Sequence, residues 1–242
     1  MRYALISDIH GNLEALKAVL DALSAEKIDR YFCVGDIVGY GADPAECIRA
    51  VRSLNPAALV AGNHEWGVTG LLGLDYFNDY ARVAIEWTKS VLKKDELDYL
   101  KTLQLVAGDD DFQLVHGGLT EPSGFPYIVD SKDARSTIAL MNKRLCFVGH
   151  THVAEIYYSD KDAVKKIEGS KVKLQDGGKY LINVGSVGQP RDMNTGASYV
   201  IFDSSSDTVE IKRASYDIKA AQTKILAAGL PPTLASRLSE GR

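Results

Sequence analysis

The chain has five histidines, His10, His64, His116, His150 and His152, and each lies within three positions of a glycine at the end of a short apolar run. Oxygen donors share those positions: Asp8 two residues before His10, Asp36 directly after Gly35, and Asn63 between Gly62 and His64. One histidine on an apolar flank is ordinarily a hydrogen-bonded structural residue. Five in equivalent places point to one shared site. In open α/β sheets the carboxyl ends of the strands line the edge where ligands bind, so such turns can converge there. Imidazole nitrogen with carboxylate and amide oxygen, and no thiolate, suits borderline divalent metals such as manganese, iron, zinc, cobalt or nickel. These donors are too many for one ion. Shared between two ions about 3.5 to 4 Å apart, they suit an in-line displacement at phosphorus, in which both the attacking and the leaving oxygen are clamped. The arrangement suggests phosphoester hydrolysis.

The elements that must position these residues are legible. Tyr3–Ile6, Tyr31–Val34, Ala58–Ala61, Phe112–Val115, Cys146–Val148 and Tyr180–Val184 each run into a glycine-bearing turn. Runs this short, rich in β-branched and aromatic residues, fit strands buried on both faces. Between the first two, Leu13, Leu16, Leu20 and Leu23 recur at helical spacing behind Asn12, a residue type that caps helices. Asp43 and Pro44 mark a second helix start, with Ile48, Val51 and Leu54 facing inward. A βαβαβ opening implies a parallel sheet. Helices are also expected at 78–92, 95–103, 131–141 and 217–228, and strands at 153–158, 171–174, 197–202 and 208–213. The lysine-rich stretch 161–173 reads as a solvated hairpin. Two packed sheets flanked by helices would accommodate both halves, and with no long linker or repeat, residues 1–242 are expected to form a single domain.

Composition narrows the class. Hydrophobic residues make up 45% and charged residues 25% of the 242, which excludes a disordered or fibrous chain. The 28 Lys plus Arg against 32 Asp plus Glu give a net charge of -4, the wrong sign for bulk electrostatic binding of nucleic acid. No apolar run approaches the roughly 18 residues that span a bilayer, and Met1-Arg2-Tyr3 leads straight into a strand, so a cytoplasmic protein without a membrane partner is expected. Cys33, Cys47 and Cys146 are odd in number and far apart, and read as buried thiols.

The motifs Asp8-x-His10, Gly35-Asp36-x-x-Gly39, Gly62-Asn63-His64-Glu65, His116-Gly117-Gly118 and Gly149-His150-x-His152, in this order, resemble the signature of the calcineurin-like metallophosphoesterases. Ser7-Asp8-Ile9-His10-Gly11-Asn12 and Asn183-Val184-Gly185-Ser186-Val187-Gly188-Gln189-Pro190-Arg191 resemble its small prokaryotic phosphodiesterase branch. The resemblance implies an α/β fold, a four-layer α/β/β/α sandwich of two mixed sheets flanked by helices. It implies two divalent ions, manganese foremost with iron, zinc, nickel or cobalt as alternatives. Asp8, His10 and His152 would hold one, Asn63, His116 and His150 the other, and Asp36 would bridge them. His64 would stand over the ions and assist the leaving group, a contribution of about 10² to 10⁴ in rate. A bridging hydroxide would be the nucleophile. Two divalent ions, two aspartates and that hydroxide sum to about +1, which favours a singly charged diester over a dianionic monoester.

The sequence also departs from part of the family. Protein Ser/Thr phosphatases of this family continue after the bridging aspartate with a second Asp and an Arg, where this chain has Ile37-Val38-Gly39-Tyr40, and Ala61 stands where they place an arginine. Arg191 is the candidate replacement for phosphate contact. Asn12 is a second substrate-binding candidate, or simply a helix cap. The apolar segments 66–77 and 119–127 would form a lid that stacks on a base, an interface of a homo-oligomer, or more core. Glu65 is expected to anchor its turn. The expected partner is a small phosphoester of nucleotide type. The alternatives are a pyrophosphatase acting on dinucleoside polyphosphates, and a non-catalytic protein-binding scaffold of the kind the retromer subunit represents on this fold.

Overall fold

The computed structural model describes residues 1–160 and 163–242. Strand β1 (Arg2–Ile6), helix α1 (Leu13–Ser24), β2 (Arg30–Cys33), α2 (Pro44–Ser53) and β3 (Ala58–Leu59) form the expected βαβαβ opening, and the three strands pair in parallel. Helices α3 (Asn63–Thr69), α4 (Asp79–Val91) and α5 (Lys94–Lys101) follow, then β4 (Val106–Gly108), β5 (Phe112–Val115), α6 (Ser131–Leu140) and β6 (Leu145–Val148). The remainder is β7 (Glu155–Ser159), β8 (Val164–Ile167), β9 (Lys171–Lys173), β10 (Lys179–Asn183), β11 (Ala197–Asp203), β12 (Thr208–Ala214), α7 (Ile218–Ala227) and α8 (Pro232–Ser236).

Among the described residues the strands form two six-stranded mixed sheets, ordered β3-β2-β1-β11-β12-β9 and β4-β5-β6-β10-β7-β8. Side chains alternate across each strand, which is why the runs read as continuously apolar. On β1, Tyr3 and Leu5 enter the core between the sheets while Ala4 and Ile6 face the helices of the first sheet. On β6, Leu145 and Phe147 face the inter-sheet core and Cys146 and Val148 face the layer under α6. Three apolar clusters, one between the sheets and one outside each, make the four-layer α/β/β/α sandwich. At the centre of the middle layer Phe112 meets Tyr3, Phe32 and Phe147 edge-on, with ring centroids 4.8 to 5.6 Å apart.

The structure differs from the local expectations, or adds to them, at four places. The 161–173 stretch is not a hairpin: β8 pairs with β7 in one sheet, while β9 pairs with β12 in the other, so the chain crosses between layers there. Its first residue, Lys161, lies outside the described residues. The third strand stops at Leu59, and Val60 makes only an isolated bridge to Gln104. Asp43 occupies the cap position of α2, but its carboxylate makes no cap bond and instead accepts from Lys224 Nζ of α7 at 2.8 Å. Helix α3, unforeseen, starts on Asn63 itself. Among the described residues no helix is long and apolar enough to cross a membrane.

Candidate active site

The six parallel strands, three in each sheet, end at one edge, and every expected site turn lies there. Asp8 and His10 follow β1, Asp36 follows β2, His116 follows β5, His150 and His152 follow β6, and Asn63 and His64 open α3 after β3. All eight residues are buried. Asp8, His10, Asp36, His150 and His152 have φ between 50° and 69°, the left-handed region that costs a non-glycine residue free energy. Such strain persists where the surrounding structure over-determines it, as at binding sites.

Donor atoms of Asp8, His10 and His152 lie within 4.8 Å of one another, as do those of Asp36, His116 and His150. His64 forms a third such group with His10 and Asp36. The tautomers follow from the partners. His10 Nδ1 faces Val38 O at 3.1 Å, His116 Nδ1 faces Val34 O at 2.7 Å, and His152 Nδ1 faces Gln189 O at 2.6 Å. A carbonyl oxygen can only accept, so each Nδ1 carries a proton and donates, which leaves Nε2 of a neutral ring with its lone pair turned to the cluster.

These donors fit metal ions. His10 Nε2 and His152 Nε2 stand 3.0 Å apart, and His152 Nε2 stands 3.2 Å from Asp8 Oδ1. Two lone pairs at that distance repel unless a proton or a metal ion lies between them. Asn63 Oδ1, His116 Nε2 and His150 Nε2 are buried with no hydrogen-bond partner, which is costly unless something is coordinated there. His116 Nε2 lies 3.1 Å from Asp36 Oδ2. Burial alone would push His116 down, but Asp36 and Asp8 raise it to about 10. Positive charge is wanted at this point. Burial favours the protonated form of Asp36, yet His116 and His64 hold its carboxyl well below the usual range. Burial, reinforced by His116, lowers His150 to about 3, and burial with Arg191 lowers His152 to about 4. Both are therefore neutral at physiological pH, as a ligating imidazole must be.

The ring of His64 packs on His10 and Tyr40, with centroids 4.7 and 4.5 Å away, and on Phe77 at 5.5 Å. Its backbone N–H donates to Asp36 Oδ1 at 2.9 Å, and its Nδ1 has no partner. Gly39 makes room for this ring, since a Cβ there would lie 2.1 Å from His64 Nδ1. Glu65 anchors more than its own turn. Its carboxylate accepts from the N–H groups of Gly62, Asp36, Ile37 and Val38 at 2.8 to 3.2 Å, tying the β2 turn to the start of α3.

The two substrate-binding candidates differ. Asn12 caps α1 through Oδ1 to Ala15 N–H and donates Nδ2 to Gly188 O, so its polar groups serve the fold. Arg191 lies at the rim, its guanidinium 5.7 Å from the centre of the Tyr40 ring. Segment 66–77 divides: Val68 and Phe77 join the core, while Leu71 and Tyr76 are exposed. Phe125 is buried, whereas Tyr127 is 52% exposed and stacks on His150 with centroids 4.0 Å apart. Sequence reasoning missed Ser7 and Gln189. Ser7 Oγ donates to Asp8 Oδ2 at 2.6 Å, and Gln189 presents its carbonyl to His152. Both stand in the quoted motifs, but nothing in the sequence says which motif residues support the others.

Comparison with known proteins bears on the family and the fold. Residues 1–207 match the calcineurin-like phosphoesterase superfamily domain. An uncharacterised protein of Methanocaldococcus jannaschii is 43% identical over 99% of this chain and 98% of its own length. The crystal structure of a metallophosphoesterase from Sphaerobacter thermophilus superposes with a TM-score of 0.87 at 40% identity, covering 100% of this chain and 99% of that one. A symmetrical bis(5'-nucleosyl)-tetraphosphatase of Erwinia tasmaniensis is 32% identical over 48% of this chain and 44% of its own, so this chain matches about half the length of that relative. With strand-end histidines and carboxylates converging on one edge of a two-sheet sandwich, the chain belongs to the calcineurin-like phosphoesterase superfamily.

Proposed function

We propose that this phosphoesterase uses two divalent ions, manganese foremost, to hydrolyse phosphodiester bonds of small nucleotide-type substrates. The observation that carries this reading is the convergence of His10, His116 and His152, each turning Nε2 to the cluster, on two buried aspartates. Asp8, His10 and His152 would hold one ion, Asn63, His116 and His150 the other, with Asp36 shared. Bound there, such ions supply Lewis-acid charge to a phosphoryl group and acidify water. The chain supplies the rest. The carbonyls of Val38, Val34 and Gln189 orient the histidines, Glu65 fixes the Asp36 turn, and burial excludes bulk water from the donors. A ring N–H of His64 would donate to the departing oxygen. Arg191 would contact a substrate phosphate from the rim.

Elemental mass spectrometry and an aryl phosphodiester assay on wild type, Asp36→Asn and His64→Ala test this. About two ions per chain and metal-dependent turnover are expected in the wild type. Asp36→Asn is expected to lose both. His64→Ala is expected to keep its metal and lose about 10² to 10⁴ in kcat. Metal without turnover on diesters or monoesters would turn the reading toward a protein-binding scaffold, and no metal after reconstitution would remove the ligand assignment. A second reading, cleavage of a dinucleoside polyphosphate, is supported by the similarity to the tetraphosphatase, and comparing rates on a cyclic nucleotide and a dinucleoside tetraphosphate separates the two.

A further inference from the structure

Beside the metal cluster two arginines meet at one acceptor. Gln189 Oε1 accepts from Arg191 Nη2 at 2.9 Å and from Arg237 Nη1 at 3.3 Å. Gln189 is itself buried, and its backbone carbonyl is the one that orients His152. One residue therefore registers both guanidiniums against a candidate metal ligand. Arg191 Nε and Arg237 Nε are buried with no hydrogen-bond partner, and among the described residues neither arginine forms an ion pair with a carboxylate. The nearest acids in sequence, Asp192 beside Arg191 and Glu240 beside Arg237, pair with Arg213 and Arg242. Burial, with the charge of Arg191, lowers Arg237 from its ordinary range. Two partly buried cations sharing one neutral acceptor repel, and a planar guanidinium fork is matched by the oxygens of a phosphoryl group.

Arg237 comes from outside the family-matched residues, which end at 207. Its segment is firmly seated: Leu234 and Leu238 are buried, Gln222 Nε2 donates to Ala235 O at 2.9 Å, and Met193 N–H donates to Gly241 O at 3.0 Å beside the Arg191 turn. The C-terminal segment thus adds a wall and a charge to a site the rest of the fold builds. With two divalent ions bound, the cluster would carry about one net positive charge and balance a diester, so two further guanidiniums would leave about +2 unmatched.

We propose that Arg191 and Arg237 form an anion subsite that takes a second phosphoryl group, adjoining the one that is cleaved. This rests on the phosphoesterase reading and, within it, moves the substrate from an isolated diester to the second reading's class, a nucleotide whose scissile phosphorus is linked to at least one more phosphate.

Two measurements test it. Chelator-stripped, dialysed protein is titrated calorimetrically with inorganic pyrophosphate, and manganese-loaded protein is assayed on a dinucleoside tetraphosphate and on an aryl phosphodiester. In Arg237→Gln, pyrophosphate affinity and the kcat/KM ratio of the polyphosphate to the diester are each expected to fall at least about tenfold, as loss of a bidentate guanidinium contact predicts. Arg237→Lys keeps the charge and the aliphatic stem but not the fork, and is expected to fall between; it carries the test if the glutamine variant does not fold. Pyrophosphate affinity and a ratio both unmoved in the two variants would overturn the subsite. Wild type that binds pyrophosphate through Arg237 yet turns over neither substrate would overturn the phosphoesterase reading and leave the subsite standing.

Discussion

Glu65 lies next to His64 in sequence and joins two turns through its carboxylate. A buried carboxylate that accepts four backbone N–H groups is hard to replace, because an amide offers one oxygen where two were used. Glu65→Gln is expected to cost about 2 to 3 kcal/mol of stability, the range for charged hydrogen bonds and stranded buried donors, read by urea unfolding. A cost within experimental error of zero would show that the two turns hold themselves. The three thiols make a prediction of the opposite kind. Cys33, Cys47 and Cys146 are buried and free, and burial pushes all three thiols up, Cys146 to about 12. Thiolate is the reactive form, so none is expected to react with an aromatic disulfide reagent until the protein is unfolded, when all three should. Rapid labelling of the folded protein would contradict their placement.

Elements explain why the strands were readable and some turns were not. A strand buried on both faces is apolar at most of its positions, so β1, β2, β5, β6 and β10 stand out as runs despite Arg30 on β2 and Gln113 on β5, while the glycines after them mark the turns. The lysine-rich stretch had no such signature: β8 and β9 are short, half-exposed edge strands, and local sequence does not say that consecutive strands join different sheets. Helix α3 was masked because its first turn is made of site residues. The middle layer makes its own test. Phe112 is fully buried among Tyr3, Phe32, Phe147 and Phe202, and Phe112→Ala is expected to destabilise the protein by about 3 to 5 kcal/mol, measured by thermal or denaturant unfolding. A loss below about 1 kcal/mol would mean that the two sheets can close over the gap.

At the scale of the whole molecule, charge contacts tie distant parts of the chain together. Glu26, after α1, pairs with Lys212 on β12 and with Arg2 on β1. The hydrogen bond from Lys212 comes first among the effects that lower Glu26, and the same bond raises Lys212. A carboxylate with a lowered folded-state pKa contributes stability above its unfolded pKa and loses it as pH falls through the folded value. The raised lysine contributes below its unfolded pKa and loses that at high pH. The coupling is expected to be about 0.5 kcal/mol, because these groups are partly exposed and screened. A double-mutant cycle of Glu26→Gln and Lys212→Met should show it at neutral pH and not in acid below the carboxylate range. Equal coupling at both would mean that packing, not charge, joins the two residues.

The sequence alone pointed to the family, the six strands that end at the site and the eight strand-end residues gathered there, because each is a local demand: an apolar run, a turn that needs glycine, a polar residue at a fixed offset from both. Tertiary structure alone decided which groups serve those donors. The carbonyls of Val34, Val38 and Gln189 are chemically identical to every other carbonyl in the chain, and only the packing of strand ends selects them. Arg237 is the clearest case. In sequence it is one arginine among many in an ordinary C-terminal helix and turn, far from every motif. In the fold it reaches the same side-chain oxygen as Arg191, because Leu234 and Leu238 bury that segment against the first sheet's helices. Which cations meet beside the cluster is set by long-range packing, which leaves no periodicity in the chain.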